Sequence, residues 1–266
     1  MTTDSASIFS AGFLRPLYYL WRLPLLLLHV LFGILVACFV AACGHPHRML
    51  RGREPLAHRL IRWWSGRLAR IFGLRLVRVG QPRTDPVMFV ANHTSWIDIG
   101  LLHSQRAACF VAKAEIARWP LLGWMAATGG TIFHRRGSNS SLSSVMRTMV
   151  ERMEEGSSVA VFPEGGTSYN GVLKVFHARI FQAAIDAGVM VQPVALRFTR
   201  NRRRVIDAGF RRNENFMQNL LRLLGSAPMD AEIHFLEPVP TNIAGRRNVA
   251  ELARERISRA LEASNP

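Results

Sequence analysis

The chain has 266 residues, 49% of them hydrophobic, and carries a formal net charge of +16. That length can bury one sizeable core with a hydrophobic element left over, so no disulfide-stapled scaffold is needed. The charge is almost entirely arginine, since Lys113 and Lys174 are the only lysines, and it implies anionic partners: nucleic acid, phosphate-bearing substrates or an anionic membrane surface.

Residues Met1 to Arg15 read as a disordered lead-in. From Leu23 to Cys43 the chain is apolar except for His29, about twenty residues and ~30 Å as a helix, enough to span a bilayer. Tyr18, Tyr19 and Trp21 precede it as an interfacial belt. Arg48, Arg51, Arg53, Arg59 and Arg62 follow it, against Arg15 and Arg22 before it, which puts the larger domain in the cytoplasm. A shallow two-helix anchor within one leaflet is the alternative. Val40-Ala41-Ala42-Cys43 resembles a lipoprotein processing site, but the lead-in and the apolar run are long for a signal peptide. This N-terminus decides for a membrane over nucleic acid, for which no zinc spacing, RNA-recognition signature or basic tail speaks.

Leu56 to Leu74 is amphipathic, with Leu60, Trp64, Leu68 and Ile71 on one face among arginines. It fits either the membrane interface or packing against the rest of the chain. Cys38 and Cys43 fall in the apolar segment and Cys109 in a strand-like run, as expected of a reduced, cytoplasmic-side domain. His45 and His47 read as interfacial. No metal-ligand cluster is evident, and neither metal nor cofactor is expected.

From Leu74 onward strand and helix patterns alternate. Strands are expected at Leu74–Val79, Val87–Ala91, Ala108–Ala112, Thr131–His134, Val159–Phe162, Val189–Arg197 and Ala231–Leu236. Helices fit Ser95–His103, Pro120–Ala127, Leu142–Glu155, Ala178–Ala187, Glu214–Leu224 and Val249–Ala263. The alternation argues an α/β fold, a mostly parallel mixed sheet flanked by helices. The expected division is an anchoring region over 1–74 and one α/β domain over 75–266.

The chemistry centres on Asn92-His93-Thr94-Ser95-Trp96-Ile97-Asp98, which follows the buried-strand run Val87–Ala91. Ser95 is the expected N-cap of the next helix, which places His93 at a strand-to-helix turn. His93 and Asp98 lie five apart across that turn. A carboxylate there can hold one ring nitrogen and leave the other as a general base. Ser95 with Asp98 is equally an S-x-x-D capping box that needs no catalysis.

The H-x4-D pattern of His93 and Asp98 resembles the glycerolipid acyltransferase family, the bacterial lysophosphatidate acyltransferases in particular. Three more blocks follow in the family's order: Gly130-Thr131-Ile132-Phe133-His134-Arg135-Arg136, Phe162-Pro163-Glu164-Gly165-Gly166-Thr167-Ser168 and Val191-Gln192-Pro193-Val194. The similarity covers roughly residues 75 to 240 and implies a glycerol-3-phosphate acyltransferase-like fold. It implies transfer of a fatty acyl group from acyl-CoA or acyl-carrier protein to a lysophospholipid, most simply 1-acylglycerol-3-phosphate, giving phosphatidic acid. His93 is then the base and Asp98 its orienter. The resemblance assigns Arg136 to the acceptor phosphate; Lys113, at the end of the preceding strand, points to the same edge and could be a second phosphate contact. Glu164, Gly165, Gly166 and Thr167 fall in the substrate-binding block.

That block departs from the commoner form, which has a glycine-threonine-arginine run. Gly166 and Thr167 stand in the places of the threonine and the arginine, which opens a phosphate-free acceptor such as a lyso-ornithine lipid. Phe176-His177 stands where a phenylalanine-lysine pair is often seen. No enzyme nucleophile is evident: there is no G-x-S-x-G elbow, and an inert thiol is expected at Cys109. An anionic membrane surface is the expected partner and nucleic acid is not. The different-class alternative is a non-catalytic, basic, membrane-bound protein that binds lipid or nucleic acid.

Overall fold

The computed structural model describes residues 5–42, 54–135, 137, 139–242 and 245–263. His45, His47, Cys43 and the arginines at 48, 51 and 53 lie outside them, as does Arg136. Helix α1 spans Ser5–Ala42 and α2 spans Leu56–Ile71. Helix α1 therefore starts well before Arg15, where a disordered lead-in was expected. Ser5 to Leu14 contains no proline and a single glycine, so little opposes extension of the apolar helix that follows.

Within α1, Leu14–Ala42 is long and apolar enough to cross a membrane, with a mean hydropathy of 2.8. Leu20, Leu27, Leu28 and Leu31 all point outward, the exposed apolar surface expected of a membrane-associated helix. Its other side is bound to protein. Arg22 is only 1% exposed, and its Nη1 donates to the carbonyls of Leu224 (2.9 Å) and Ser226 (2.7 Å). Arg22 is thus a docking residue and drops out of the count of membrane-flanking charges. Further along, the His29 and Trp64 rings stack at 4.9 Å. Each also bonds the other's backbone: His29 Nε2 lies 3.0 Å from the Trp64 carbonyl, and Trp64 Nε1 donates to the His29 carbonyl at 3.1 Å. Helix α2 in turn buries Ala57, Ser65, Leu68 and Ala69. Of its two sequence readings, packing against the rest of the chain holds for that face.

The α/β region follows in order: β1 (Leu74–Val79), β2 (Met88–Ala91), α3 (Ile97–Gln105), β3 (Cys109–Lys113), α4 (Leu122–Thr128), β4 (Ile132–His134), α5 (Asn139–Glu154) and β5 (Val159–Val161). It continues with α6 (Gln182–Asp186), β6 (Val191–Arg200), β7 (Arg203–Val205), α7 (Phe216–Leu224), β8 (Met229–Phe235) and α8 (Gly245–Glu262). The sheet order is β1-β8-β6-β2-β5-β3-β4, with β7 beside β6. All pairs are parallel except β6 with β8 and β6 with β7, so the expected mixed, mostly parallel sheet is present.

Strand β2 sits at its centre, fully buried. Side chains alternate between faces along a strand. Phe89 and Ala91 join the core under α1, α2, α3 and α7, while Met88 and Val90 join the core under α5, α6 and α8. A central strand covered on both faces reads as an unbroken apolar run, which is why Val87–Ala91 was legible.

Strand β7 was not anticipated. Its hairpin turns through Asn201 and Arg202, at φ 51° and 64°. A two-residue turn of that hand normally announces itself with glycine, and here it does not.

After β7 the 207–215 loop leads into α7 under the control of one ion pair. Arg222 Nε and Nη2 donate to Glu214 at 2.6 and 2.7 Å. The guanidinium holds the Glu214 carboxyl down at about 2, against the opposing effect of burial. The folded-state value lies below the ordinary 4.5, so this stabilisation is present above that pH and is lost as pH falls toward 2. Glu214→Gln should lower the melting temperature at neutral pH and flatten the acid side of the stability curve. Thermal unfolding followed between pH 7 and pH 2 reads both, and an unchanged profile would discount the pair.

Candidate active site

The position of His93 is set first by the end of β2. After Ala91 the ladder to β6 is continued by a side chain: Asn92 Nδ2 donates to the Leu196 carbonyl (2.9 Å), and Asn92 Oδ1 accepts from the Leu196 N–H (2.8 Å). The buried amide thereby satisfies a strand partner while freeing the backbone to turn. The turn closes around Asp98, whose side chain is fully buried. Its Oδ2 accepts from the N–H groups of Thr94 (2.7 Å) and Ser95 (2.8 Å) and lies 2.9 Å from His93 Nδ1.

Ser95 is not the N-cap expected from the sequence. Trp96 occupies that position, without a side-chain cap bond. Asp98 performs the reverse half of the capping box, on the Ser95 N–H, while the Ser95 hydroxyl goes to Asn219 at 3.1 Å.

The Phe162–Ser168 loop then grips the same histidine. The His93 ring stacks on Phe162 at 3.9 Å and 14°. Its N–H donates to Glu164 Oε1 (2.7 Å), and its carbonyl accepts from the Ser168 N–H (2.8 Å). Glu164 is 5% exposed, and its second oxygen accepts from the Lys174 N–H at 2.9 Å. Burial pushes the Glu164 carboxyl upward, while these backbone hydrogen bonds pull the other way. Gly165 follows at φ 69°, where a Cβ would meet His177 Nε2 at 2.9 Å. Glycine is required there both by the left-handed backbone and by the close ring.

A carboxylate on Nδ1 fixes the tautomer and leaves Nε2 as the proton-accepting nitrogen. Half-buried beside a glycine-rich loop, that nitrogen can deprotonate a hydroxyl. A loop of this kind can also present N–H groups to an oxyanion.

Residues 77–197 match the family model described as Acyltransferase. Lyso-ornithine lipid O-acyltransferase of Pseudomonas aeruginosa is 37% identical over 207 residues, covering 78% of this chain and 80% of the relative. The chain belongs to the acyltransferase family. A 1-acyl-sn-glycerol-3-phosphate acyltransferase of Neisseria gonorrhoeae is 40% identical, over 50% of this chain and 53% of the relative. The crystal structure of the 1-acyl-sn-glycerophosphate acyltransferase PlsC from Thermotoga maritima superposes with a TM-score of 0.69, covering 95% of this chain and 98% of that one at 19% identity. The fold is therefore PlsC-like, and the protein is an acyltransferase of the lyso-lipid class, acting with a lipid acceptor and an acyl donor.

In this acyltransferase the structure brings His93, Asp98, Glu164 and Gly165 together, with Gly166 and Thr167 in the same loop. Lys113 ends β3, exposed, two strands from β2. Arg136 falls outside the described residues, just past Arg135, whose N–H donates to the Ser141 hydroxyl oxygen (3.0 Å). Four contributors escaped sequence reasoning: Asn92, Phe162, Lys174 and Asn219. Asn92 and Phe162 lay inside recognised blocks but were given no role. Lys174 Nζ donates to the Thr167 carbonyl at 2.7 Å, bringing a cation to the place where the family's commoner arginine is missing. Only its rarity, as one of two lysines, marked it.

Cys109 is buried in β3, and burial raises its thiol to about 11. At neutral pH it holds negligible thiolate. Iodoacetamide at pH 8 should leave Cys109 unlabelled in the native protein, and Cys109→Ala should keep turnover within about twofold. Rapid labelling by peptide mass mapping, coupled to loss of activity, would instead make it a nucleophile candidate.

Proposed function

We propose that this acyltransferase catalyses direct O-acyl transfer from a thioester to a lyso-lipid, with His93 as general base and Asp98 as its orienter. The observation that carries the reading is the 2.9 Å contact of His93 Nδ1 with a fully buried carboxylate. His93 Nε2 takes the acceptor hydroxyl's proton as its oxygen attacks the thioester carbonyl. The N–H groups of Gly166 and Thr167 receive the developing oxyanion. Collapse breaks the carbon–sulfur bond, and the imidazolium returns its proton to the departing thiolate. Glu164, with both oxygens on backbone N–H groups, acts by holding His93 and the 174 segment in place. Arg136 contacts the acceptor head group. The donor is acyl-CoA or acyl-carrier protein, and the strong positive charge suits either.

For the acceptor, the sequence alone puts lysophosphatidate first and a lyso-ornithine lipid second, and we propose the reverse order. The Pseudomonas aeruginosa relative, which matches over most of both chains, is a lyso-ornithine lipid O-acyltransferase, as is a Brucella abortus protein 29% identical over 86% of this chain and 92% of that one. The lysophosphatidate enzyme named above aligns over about half its length. Chemistry supports the same order. A phosphate monoester carries about −1.5 to −2 charges at neutral pH, whereas an ornithine head group offers one carboxylate and one ammonium. Thr167 brings no charge, and Lys174 supplies a single cation at that corner. Lysophosphatidate is the second reading, favoured by Arg136.

The site works at the cytoplasmic face of the inner membrane. The apolar outer side of α1 lies in lipid; Arg22 ties that helix to the 75–266 catalytic domain, and His29 ties it to α2 through Trp64.

His93→Ala should lower turnover by about 10²-fold or more with folding retained; near-wild-type turnover would sink the mechanism. With labelled acyl donors, the wild type should acylate lyso-ornithine lipid with kcat/KM at least about tenfold above lysophosphatidate, and Thr167→Arg should narrow the ratio. This corresponds to roughly one charge-assisted contact. A ratio favouring lysophosphatidate would overturn the acceptor assignment and leave His93 untouched. The protein should also pellet with membranes and resist extraction by high salt, because hydrophobic anchoring is not screened. Release of the full-length chain by salt alone would mean that α1 is not inserted.

A further inference from the structure

The catalytic turn is held from inside by Asp98, but something must hold it from outside. The carboxylate binds the N–H groups of Thr94 and Ser95, so it follows wherever those two residues go. Their outer side is met chiefly by Asn219 of α7, which is completely buried. Its Oδ1 accepts from the Ser95 hydroxyl (3.1 Å) and from Trp96 Nε1 (2.9 Å). Its Nδ2 donates to the Gly209 carbonyl (3.1 Å) and to Glu214 Oε2 (3.0 Å). An indole nitrogen is a donor only and a backbone carbonyl an acceptor only. The amide can therefore sit one way round, and each of its four hydrogen-bonding valences is filled.

The surroundings leave Asn219 little freedom. Asn215 and Gln218 close a reciprocal capping box at the start of α7. Arg222 Nη2 donates to the same Gly209 carbonyl at 2.7 Å and to Glu214 at 2.7 Å. The Trp96 ring is wedged edge-on between Phe72 (5.2 Å) and Phe216 (5.4 Å). At the helix's other end, Tyr19 and Arg22 of α1 bond the carbonyls of Leu221 and Leu224. The Phe210 N–H also reaches the Thr94 carbonyl at 3.0 Å.

We propose that Asn219 is a positioning residue for acyl transfer. It fixes the Ser95–Trp96 segment so that Asp98, held by the Thr94 and Ser95 N–H groups, presents Oδ2 to His93 Nδ1. It touches neither substrate nor the reacting atoms. The inference rests on the assignment of His93 as base. A small misplacement of such a base is costly in rate while substrate binding is spared, and this separates the role from ordinary packing.

The test uses the full-length, detergent-solubilised chain with an acyl-CoA donor and a lyso-lipid acceptor. Asn219→Ala should lower kcat about tenfold or more, with KM for donor and acceptor within about twofold. Ser95→Ala combined with Trp96→Phe removes the same two hydrogen bonds from the turn while keeping an aromatic ring, and should give the same pattern. The triple variant should be no slower than the worse of the two, since both remove one interaction. Losses that multiply in the triple variant would overturn the proposal, because Asn219 would then act through Gly209 and Glu214 alone. A fall in rate that matches a fall in folded fraction by near-ultraviolet circular dichroism would overturn it equally. If Asn219→Ala does not fold, the Ser95/Trp96 variant decides: wild-type kcat there rejects the role. His93→Ala separates the two layers. If it stays active, the base assignment fails; if it is inactive while the Asn219 and Ser95/Trp96 variants turn over normally, the role of Asn219 alone fails.

Discussion

One buried carboxylate oxygen organises the candidate active site of this protein. Asp98 Oδ2 collects the N–H groups of Thr94 and Ser95 and the Nδ1 of His93, all within 2.9 Å. A buried charge is tolerable only when hydrogen bonds replace its lost hydration. The short turn after β2 supplies all of these donors itself. The same requirement fixes the turn, the ring orientation and the start of α3. Breaking any one contact leaves the others badly placed.

Around that oxygen the chain builds a frame from distant segments. Asn92 extends the β2–β6 ladder by a side chain. Phe162 and Glu164 reach over from the end of β5, and Asn219 braces the turn from α7. Strand β2 runs parallel to both of its neighbours, so the carboxyl ends of β2, β5 and β6 lie on one edge, where sites in α/β sheets gather. Helix α1 reaches the same region. Arg22 and Tyr19 cap the carbonyl end of α7, and Leu26 enters the core of the sheet. Helix α1 is thus packed against the α/β region, with no break in contact at residue 74.

Charge is distributed by the same logic. Arginines dominate the positive charge of the chain, and those that are buried are each committed to a carbonyl or carboxylate. Arg22 holds carbonyls of α7 and the 226 position. Arg197 pairs with Glu232 at 2.6 Å, and Arg222 with Glu214. The planar guanidinium suits these buried forks better than an ammonium, which gives the chain a use for so many arginines beyond its surface.

The sequence by itself determined the elements and the chemistry. Apolar runs gave β2, β5 and β6, the helical periods gave α3, α5 and α8, and His93-x4-Asp98 placed an imidazole and a carboxylate across one turn, because those signals are local. It also exposed Thr167 as a departure from the commoner family pattern. Tertiary structure alone decided what came from far along the chain. Asn219 meets Ser95 across 124 residues, and Lys174 faces Thr167 through a loop with no periodic pattern. Arg22 looked like a flanking charge until α7 was laid beside it. Glu164 sits in a recognised block, but that its oxygens bond the N–H groups of His93 and Lys174 came only from the fold. Burial and hydrogen-bond satisfaction depend on which surfaces meet, and no spacing within one segment specifies that.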